Sequence, residues 1–202
     1  MIISDLSTHD KQYPVILCDV PWTFTTRSAK GKGRSPEKHY DCMSLDDIAR
    51  LPVAKLAAKD CMMFFWTTDP MIPKALWLLD QWEFEFKTVG FYWAKLNKSV
   101  TGDTFRSTDF FTGMGFHTRG NPEQCWIATR GHPKRRAKDV RRLIVSPRRE
   151  HSRKPDETYE RIERIVEGPY LELFSRSERP GWDCWGNEAG KFTAASGVPC
   201  LV

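Results

Sequence analysis

A layered α/β domain with a largely parallel central sheet is the fold class this sequence predicts, and three observations carry it. Two short continuous apolar runs, Val15-Ile16-Leu17-Cys18 and Cys61-Met62-Met63-Phe64-Phe65-Trp66, have the composition of strands buried on both faces. Segments of helical length alternate with further runs of this kind, the pattern of a sheet covered by helices on both faces. The 202 residues suffice for one sizeable core, and no internal repeat, low-complexity tract or linker divides them. A single domain over residues 1–202 is therefore expected.

The first strand runs into Asp19-Val20-Pro21-Trp22. This places a carboxylate, a proline and an indole at one sheet edge, where open α/β sheets bind their ligands. A flat base could stack on Trp22 while Asp19 accepts a hydrogen bond from its amino group. The competing reading is a plain turn, with Pro21 holding Val20 extended and Asp19 capping the bend. Residues 23–40 are polar and include Lys30, Lys32 and Arg34 among glycines. They lack the spacing of a phosphate-cradling loop, which leaves a mobile basic loop or a solvated insertion. Ser44-Leu45-Asp46-Asp47 resembles a capping box and predicts a short helix toward Leu51.

Residues 60–68 read as a buried central strand, and residues 70–82 as a helix with Pro70 or Pro73 in its first turn. Aromatic and β-branched residues predict a strand over 84–93 that ends at Ala94-Lys95. Residues 97–121 show little periodicity and are taken as a functional loop region. A strand is expected over 123–129. The basic run 130–142 follows, with Arg135 and Arg136 at its middle, and then a short strand over 143–145. Pro155 and Gly168 bracket a helix, and Tyr170-Leu171-Glu172-Leu173-Phe174 is a final strand.

Composition bounds the function. A formal net charge of +5 fits a polyanionic partner, though weakly. No apolar run reaches the roughly eighteen residues of a membrane span, and the N-terminus lacks a basic segment followed by an apolar one, so no signal peptide is expected. None of the six cysteines has the close spacing of a zinc or redox pair, so no metal is expected, and a reduced, cytoplasmic setting follows. Eight tryptophans and twelve phenylalanines are many for this length; some are core, and others are available for stacking.

Six motifs in order then resemble one family, the MT-A70 family of S-adenosylmethionine-dependent adenine N6-methyltransferases, in its compact bacterial or phage form. Asp19-Val20-Pro21-Trp22 is similar to its Asp-Pro-Pro-Trp motif at three of four positions. His39 to Ser44, Phe64 to Thr68 and Tyr92-Trp93-Ala94-Lys95 resemble the segments that follow. His151-Ser152-Arg153-Lys154-Pro155-Asp156-Glu157 precedes the last long helix, and Leu171 to Arg176 with Gly181 to Glu188 forms the C-terminal block. The likeness spans about residues 15–191. It implies a Rossmann-like methyltransferase fold with permuted motif order, the catalytic motif near the start and much of the cofactor pocket near the end. Two departures stand out. Val20 replaces the usual proline and loses its φ restraint. Only about fourteen residues precede the first strand, so an upstream segment present in some relatives is expected to be short or missing.

The resemblance implies the chemistry and the roles. Adenine N6 is a poor nucleophile because its lone pair is delocalised. Asp19 and the carbonyl of Val20 would grip the amino group as acceptors, Pro21 would shape the wall beneath, and Trp22 would stack on the base. S-Adenosyl-L-methionine is the implied cofactor. Lys95 would reach its carboxylate, Arg176, Glu178 and Arg179 would lie near the adenosine, Asn187 and Glu188 would hold the ribose, and Asp19 would border the same pocket. Tyr40, His117, Arg119, Asn121 and Glu123 are candidates for the target-base pocket, with a core position as the alternative for Tyr40. Lys32, Arg34, Arg135, Arg136 and Arg148-Arg149 are candidates for phosphate contacts, which position a substrate without reading its sequence; an ordinary charged surface is the alternative. DNA is expected ahead of RNA, with no membrane partner and a homodimer or partner subunit left open. A non-catalytic nucleic-acid-binding subunit is the competing class.

Overall fold

The structure, a computed structural model, describes residues 1–22, 43–115, 117–150 and 153–190. Its strands are β1 (Tyr13–Asp19), β2 (Ala57–Thr67), β3 (Glu85–Leu96), β4 (Glu123–Arg130), β5 (Leu143–Pro147), β6 (Tyr170–Leu173) and β7 (Trp182–Trp185). The α-helices are α1 (Leu45–Ala49), α2 (Val53–Leu56), α3 (Ile72–Gln81) and α4 (Glu157–Ile165). The strands form one sheet in the order β5-β3-β4-β2-β1-β6-β7. β4 runs antiparallel to both of its neighbours, and every other pairing is parallel.

The apolar runs are continuous because both faces are covered, and alternation along each strand sorts the side chains between two cores. Ile16 and Cys18 of β1, Met63 and Phe65 of β2, and Leu171 and Leu173 of β6 share one cluster with Ile48, Val53, Leu56, Ala75 and Leu78 of α1–α3. Val15, Leu17, Met62, Phe64 and Trp66 face the other way and pack with Tyr159, Ile162 and Ile165 of α4. Phe64 is fully buried and stacks on Phe91, with ring centroids 5.9 Å apart. We expect Phe64→Ala to cost about 3–5 kcal/mol by leaving a cavity beneath α4. Urea unfolding followed by circular dichroism measures this, and a loss below about 1 kcal/mol would contradict the packing described.

Local chemistry explains the element ends. The Ser44 hydroxyl accepts from the Asp47 amide at 3.1 Å and caps α1 as expected. Pro70 lies in a 3-10 turn over Asp69–Met71 that leads into α3, where Pro73 occupies the first turn. α4 starts two residues after Pro155, with Asp156 at its N-cap. That carboxylate does not cap the helix, because Arg149 and Arg179 hold it at 2.6 Å and 3.1 Å.

Two features depart from expectation. Trp182-Asp183-Cys184-Trp185 forms β7, whose alternating burial extends the sheet beyond β6. The direction of β4 carries the larger consequence. All the other strands end at one edge of the sheet, whereas β4 begins there at Glu123 and carries the chain to the opposite edge at Arg130. Seven steps of about 3.4 Å separate those ends by roughly 24 Å.

Candidate active site

Asp19 closes β1, the strand between β2 and β6, and its side chain projects on the α4 face. A cleft open to solvent occupies that edge of the sheet. Asp19, Trp66, Lys154, Glu172, Phe174 and Arg176 stand in its wall. The next residue in the motif points the other way: Val20 and Trp22 are buried in the core beneath α1–α3. The Trp22 amide donates to the Val20 carbonyl at 2.9 Å, a tight turn around Pro21. The motif thus straddles the sheet, with its acid in the cleft and its indole in the core.

A chain of alternating charges crosses the cleft. Lys154 donates to Asp19 Oδ2 at 2.7 Å and lies 3.5 Å from Glu123, and Glu123 also binds Lys95. Lys154 comes from the polar stretch before α4, Glu123 from the start of β4 and Lys95 from the end of β3. Burial pushes the Asp19 carboxyl up. Lys154 pulls it back in part, Glu123 raises it again, and the result stays above the usual aspartate range. Burial pushes Glu123 up as well, but Lys154 and Lys95 outweigh it and hold that carboxyl below its ordinary value. The two acids are thereby set apart: Glu123 anchors both lysines, and Asp19 is the one facing the cleft.

Beneath them lies a third acid. Glu172 occupies a position in β6 that points toward α4, where alternation would otherwise place an apolar side chain, and it is 8% exposed. Its Oε1 accepts from the Tyr159 hydroxyl at 2.8 Å, and its Oε2 lies 2.9 Å from Ser175 Oγ. Phe174 takes a positive φ of 61°, which turns the chain sharply after β6 and brings Ser175 and Arg176 back over the strand ends. Gly186 makes the close approach of the next turn possible, since a Cβ there would stand 2.5 Å from the Ser175 carbonyl oxygen.

The remaining expected residues divide by position. Arg176 Nε donates to Glu188 Oε2 at 2.6 Å, so these two form one ion pair at the cleft wall. Arg179 packs over the Tyr159 ring at 4.2 Å and binds Asp156, which places it behind the cleft. Glu178 and Asn187 are exposed. His117 and Arg119 are exposed on the loop between β3 and β4. Tyr40, Lys32 and Arg34 lie outside the described residues.

Three expectations change. Asn121 is a clamp: its Nδ2 donates to the Lys95 and Phe111 carbonyls at 2.9 Å and 2.5 Å, and its Oδ1 accepts from the Lys95 amide at 3.1 Å. These bonds occupy the side chain's main donors and acceptor and tie the loop to the end of β3. Arg135 and Arg136 follow the far end of β4, at the edge opposite Asp19, and the Arg136 amide bonds the carbonyl of Ile165 at the end of α4. The antiparallel run of β4 is the physical reason. Trp22 is 6% exposed and meets Phe65 edge-on at 6.1 Å, so in this structure it is a core ring. Of the expected basic residues, Arg148, stacked on Phe111 at 3.6 Å, and Arg149, bound to Asp156, stand at the site edge.

Lys154 and Glu172 are the site residues that sequence reasoning did not single out, whereas Glu123, expected near the target-base pocket, is the acid that anchors Lys95 and Lys154. For Glu172 a signal existed: an acid inside an apolar run of a buried strand is costly unless it does something there. Lys154 carries no such local mark, because several basic residues surround it.

The chain is 30% identical over 194 residues to the Type II methyltransferase M.MunI of Mycoplasma sp., covering 88% of this chain and 78% of that protein. It is 32% identical over 200 residues to the N(6)-adenine-specific methyltransferase METTL4 of Mus musculus, covering 90% of this chain and 38% of the relative. Against the human N(6)-adenosine-methyltransferase catalytic subunit METTL3 it is 27% identical over 186 residues, covering 88% and 28%. The chain thus spans most of the first and well under half of the other two. The MT-A70 family model matches residues 13–188, which include every strand of the sheet and the whole cleft, and the chain belongs to the MT-A70 family.

Proposed function

We propose that this protein transfers a methyl group from S-adenosylmethionine to the N6 amino group of adenine in DNA. The observation that carries the reading is the Asp19 carboxylate at the end of a central strand, fixed by Lys154 at 2.7 Å in an open cleft of mixed charge. The lining suits the cofactor: Asp19, Asp156 and Glu172 can face cationic groups, and Arg153, Lys154 and Arg176 can face a carboxylate. When bound, S-adenosylmethionine supplies an electrophilic methyl group on a sulfonium.

The residues of this chain do the rest by position and charge. Lys154 takes Asp19 Oδ2 and orients the carboxylate, so Oδ1 accepts a hydrogen bond from the adenine amino group. The Val20 carbonyl offers its second lone pair to the other amino hydrogen, since the Trp22 amide uses only one. Two acceptors draw the nitrogen toward a tetrahedral shape and favour its lone pair over ring delocalisation. Asp19 also stabilises the positive charge that grows on that nitrogen, an electrostatic role worth about 10²–10³ in rate at comparable sites. Lys95 and Lys154, both paired with Glu123, would take the cofactor carboxylate, and the paired Arg176 and Glu188 its ribose. Exposed Arg119 and the half-buried Arg148 are cations near this edge for phosphate.

DNA is the favoured polymer because the match to the Type II methyltransferase covers 88% of this chain and 78% of that protein, and because identity is 32% to the N(6)-adenine-specific relative against 27% to the adenosine-specific one. Matched DNA and RNA oligonucleotides with radiolabelled cofactor test this. Transfer to DNA at least about tenfold faster supports it, preference for RNA overturns the choice of polymer, and oligonucleotide binding without transfer to either favours a non-catalytic subunit.

A further inference from the structure

Glu172 lines the cofactor cleft, yet both of its oxygens are engaged by neutral hydroxyls. The Ser175 hydroxyl owns one proton and faces two acceptors: the Ser177 carbonyl at 2.7 Å and Glu172 Oε2 at 2.9 Å. It also accepts from the Ser177 amide at 3.3 Å. The pattern closes when the carboxyl carries a proton on Oε2 and donates it to Ser175 Oγ, which then donates to Ser177. Resting on the cofactor reading, we propose that Glu172 is an anionic contact for the cationic part of bound S-adenosylmethionine and releases its proton to solvent when the cofactor binds.

The surroundings support both states. Around the carboxyl are Asp19 and Cys18 of β1, Tyr159 of α4, Cys184 of β7, Ser175, and Arg179 behind Tyr159. Burial pushes the Glu172 carboxyl up, the two hydroxyls and Arg179 pull it down, and nearby Asp19 raises it, leaving it at about 7. A cation entering the cleft beside Asp19 and Glu172 reverses the like-charge repulsion and replaces lost hydration, so the proton leaves. The sign follows from this order. Binding must expel a proton below about pH 7, so affinity weakens as pH falls through that value, by up to about tenfold per pH unit.

Isothermal titration of the full chain with S-adenosylmethionine near pH 7, in two buffers of different ionisation enthalpy, counts the protons. We expect release of about half a proton per cofactor, because the group starts half protonated. S-Adenosylhomocysteine, which lacks the sulfonium charge, should release fewer. Glu172→Gln mimics the neutral acid, so its proton release should drop by the same amount and its affinity should stop weakening toward acid pH; titration of the cofactor's own amine cancels in this comparison. A protonated-carboxyl infrared band lost on cofactor addition reads the same event without a variant. Equal proton release by wild type and Glu172→Gln, or no such band before cofactor is added, overturns the proposal. Absence of any binding heat in either buffer would instead remove the cofactor reading, and this inference with it.

Discussion

Asp19→Asn is expected to lower methyl transfer on the order of 10³-fold, about 4 kcal/mol of transition-state stabilisation, while cofactor affinity changes by less than about tenfold. Asparagine fits the space, so the loss is one of charge and donor pattern. Its oxygen would take the bond from Lys154, which turns the amide NH₂ toward the incoming amino group and sets donor against donor. Single-turnover transfer and cofactor titration on the same sample separate the two effects. The acid limb of the wild-type pH profile belongs to the same carboxylate. Asp19 must be ionised to accept, and its pKa is raised by burial, so activity should fall at a higher pH than an ordinary aspartate would give. Equal turnover by wild type and Asp19→Asn would remove Asp19 from the chemistry.

Lys154→Met tests the charge chain, and two readouts should move together. Lys154 is 11% exposed and serves two acids, Asp19 at 26% and Glu123 at 20%. Without it both carboxyls shift upward, Asp19 more because Glu123 keeps Lys95. The acid limb of activity should therefore move to higher pH, and transfer at neutral pH should drop about 10²-fold. Stability should fall by about 2 kcal/mol at neutral pH, below the usual cost of a broken buried pair because Asp19 keeps some contact with water. The linkage fixes its sign: carboxyls whose folded pKa values exceed their unfolded ones stabilise the fold at acid pH and lose that contribution as pH rises. The deficit against wild type should thus shrink toward about pH 4. Denaturant unfolding at two pH values measures this, and a deficit that grows toward acid pH would contradict the assigned pairing.

The strands and the long helices were legible because burial on both faces demands unbroken apolar runs, and β1, β2 and β6 have them. The catalytic edge was legible for the same reason, since Asp19 ends such a run. Strand direction was not, because an apolar run reads alike either way. The antiparallel course of β4 follows from the pairing of whole strands, and it moved Arg135 and Arg136 to the far edge. β7 is four residues long and lies just beyond Pro180-Gly181, so its alternation was too brief to read as a strand. Lys154 became visible only when the path after β5 carried it across the ends of β1 and β4. The Arg176–Glu188 pair was read as two separate ribose and adenosine contacts, because spacing in the chain does not reveal that both side chains meet.

In the proposed function, the carboxylate held by Lys154 at the end of β1 serves adenine N6. Its most direct test is mass spectrometry of nucleosides from the DNA and RNA of cells that express the wild-type chain or Asp19→Asn at equal levels. We expect N6-methyl-2′-deoxyadenosine in DNA above background with the wild type, and background alone with the variant. Identical nucleoside profiles for the two, with the wild-type protein folded and abundant, would contradict it.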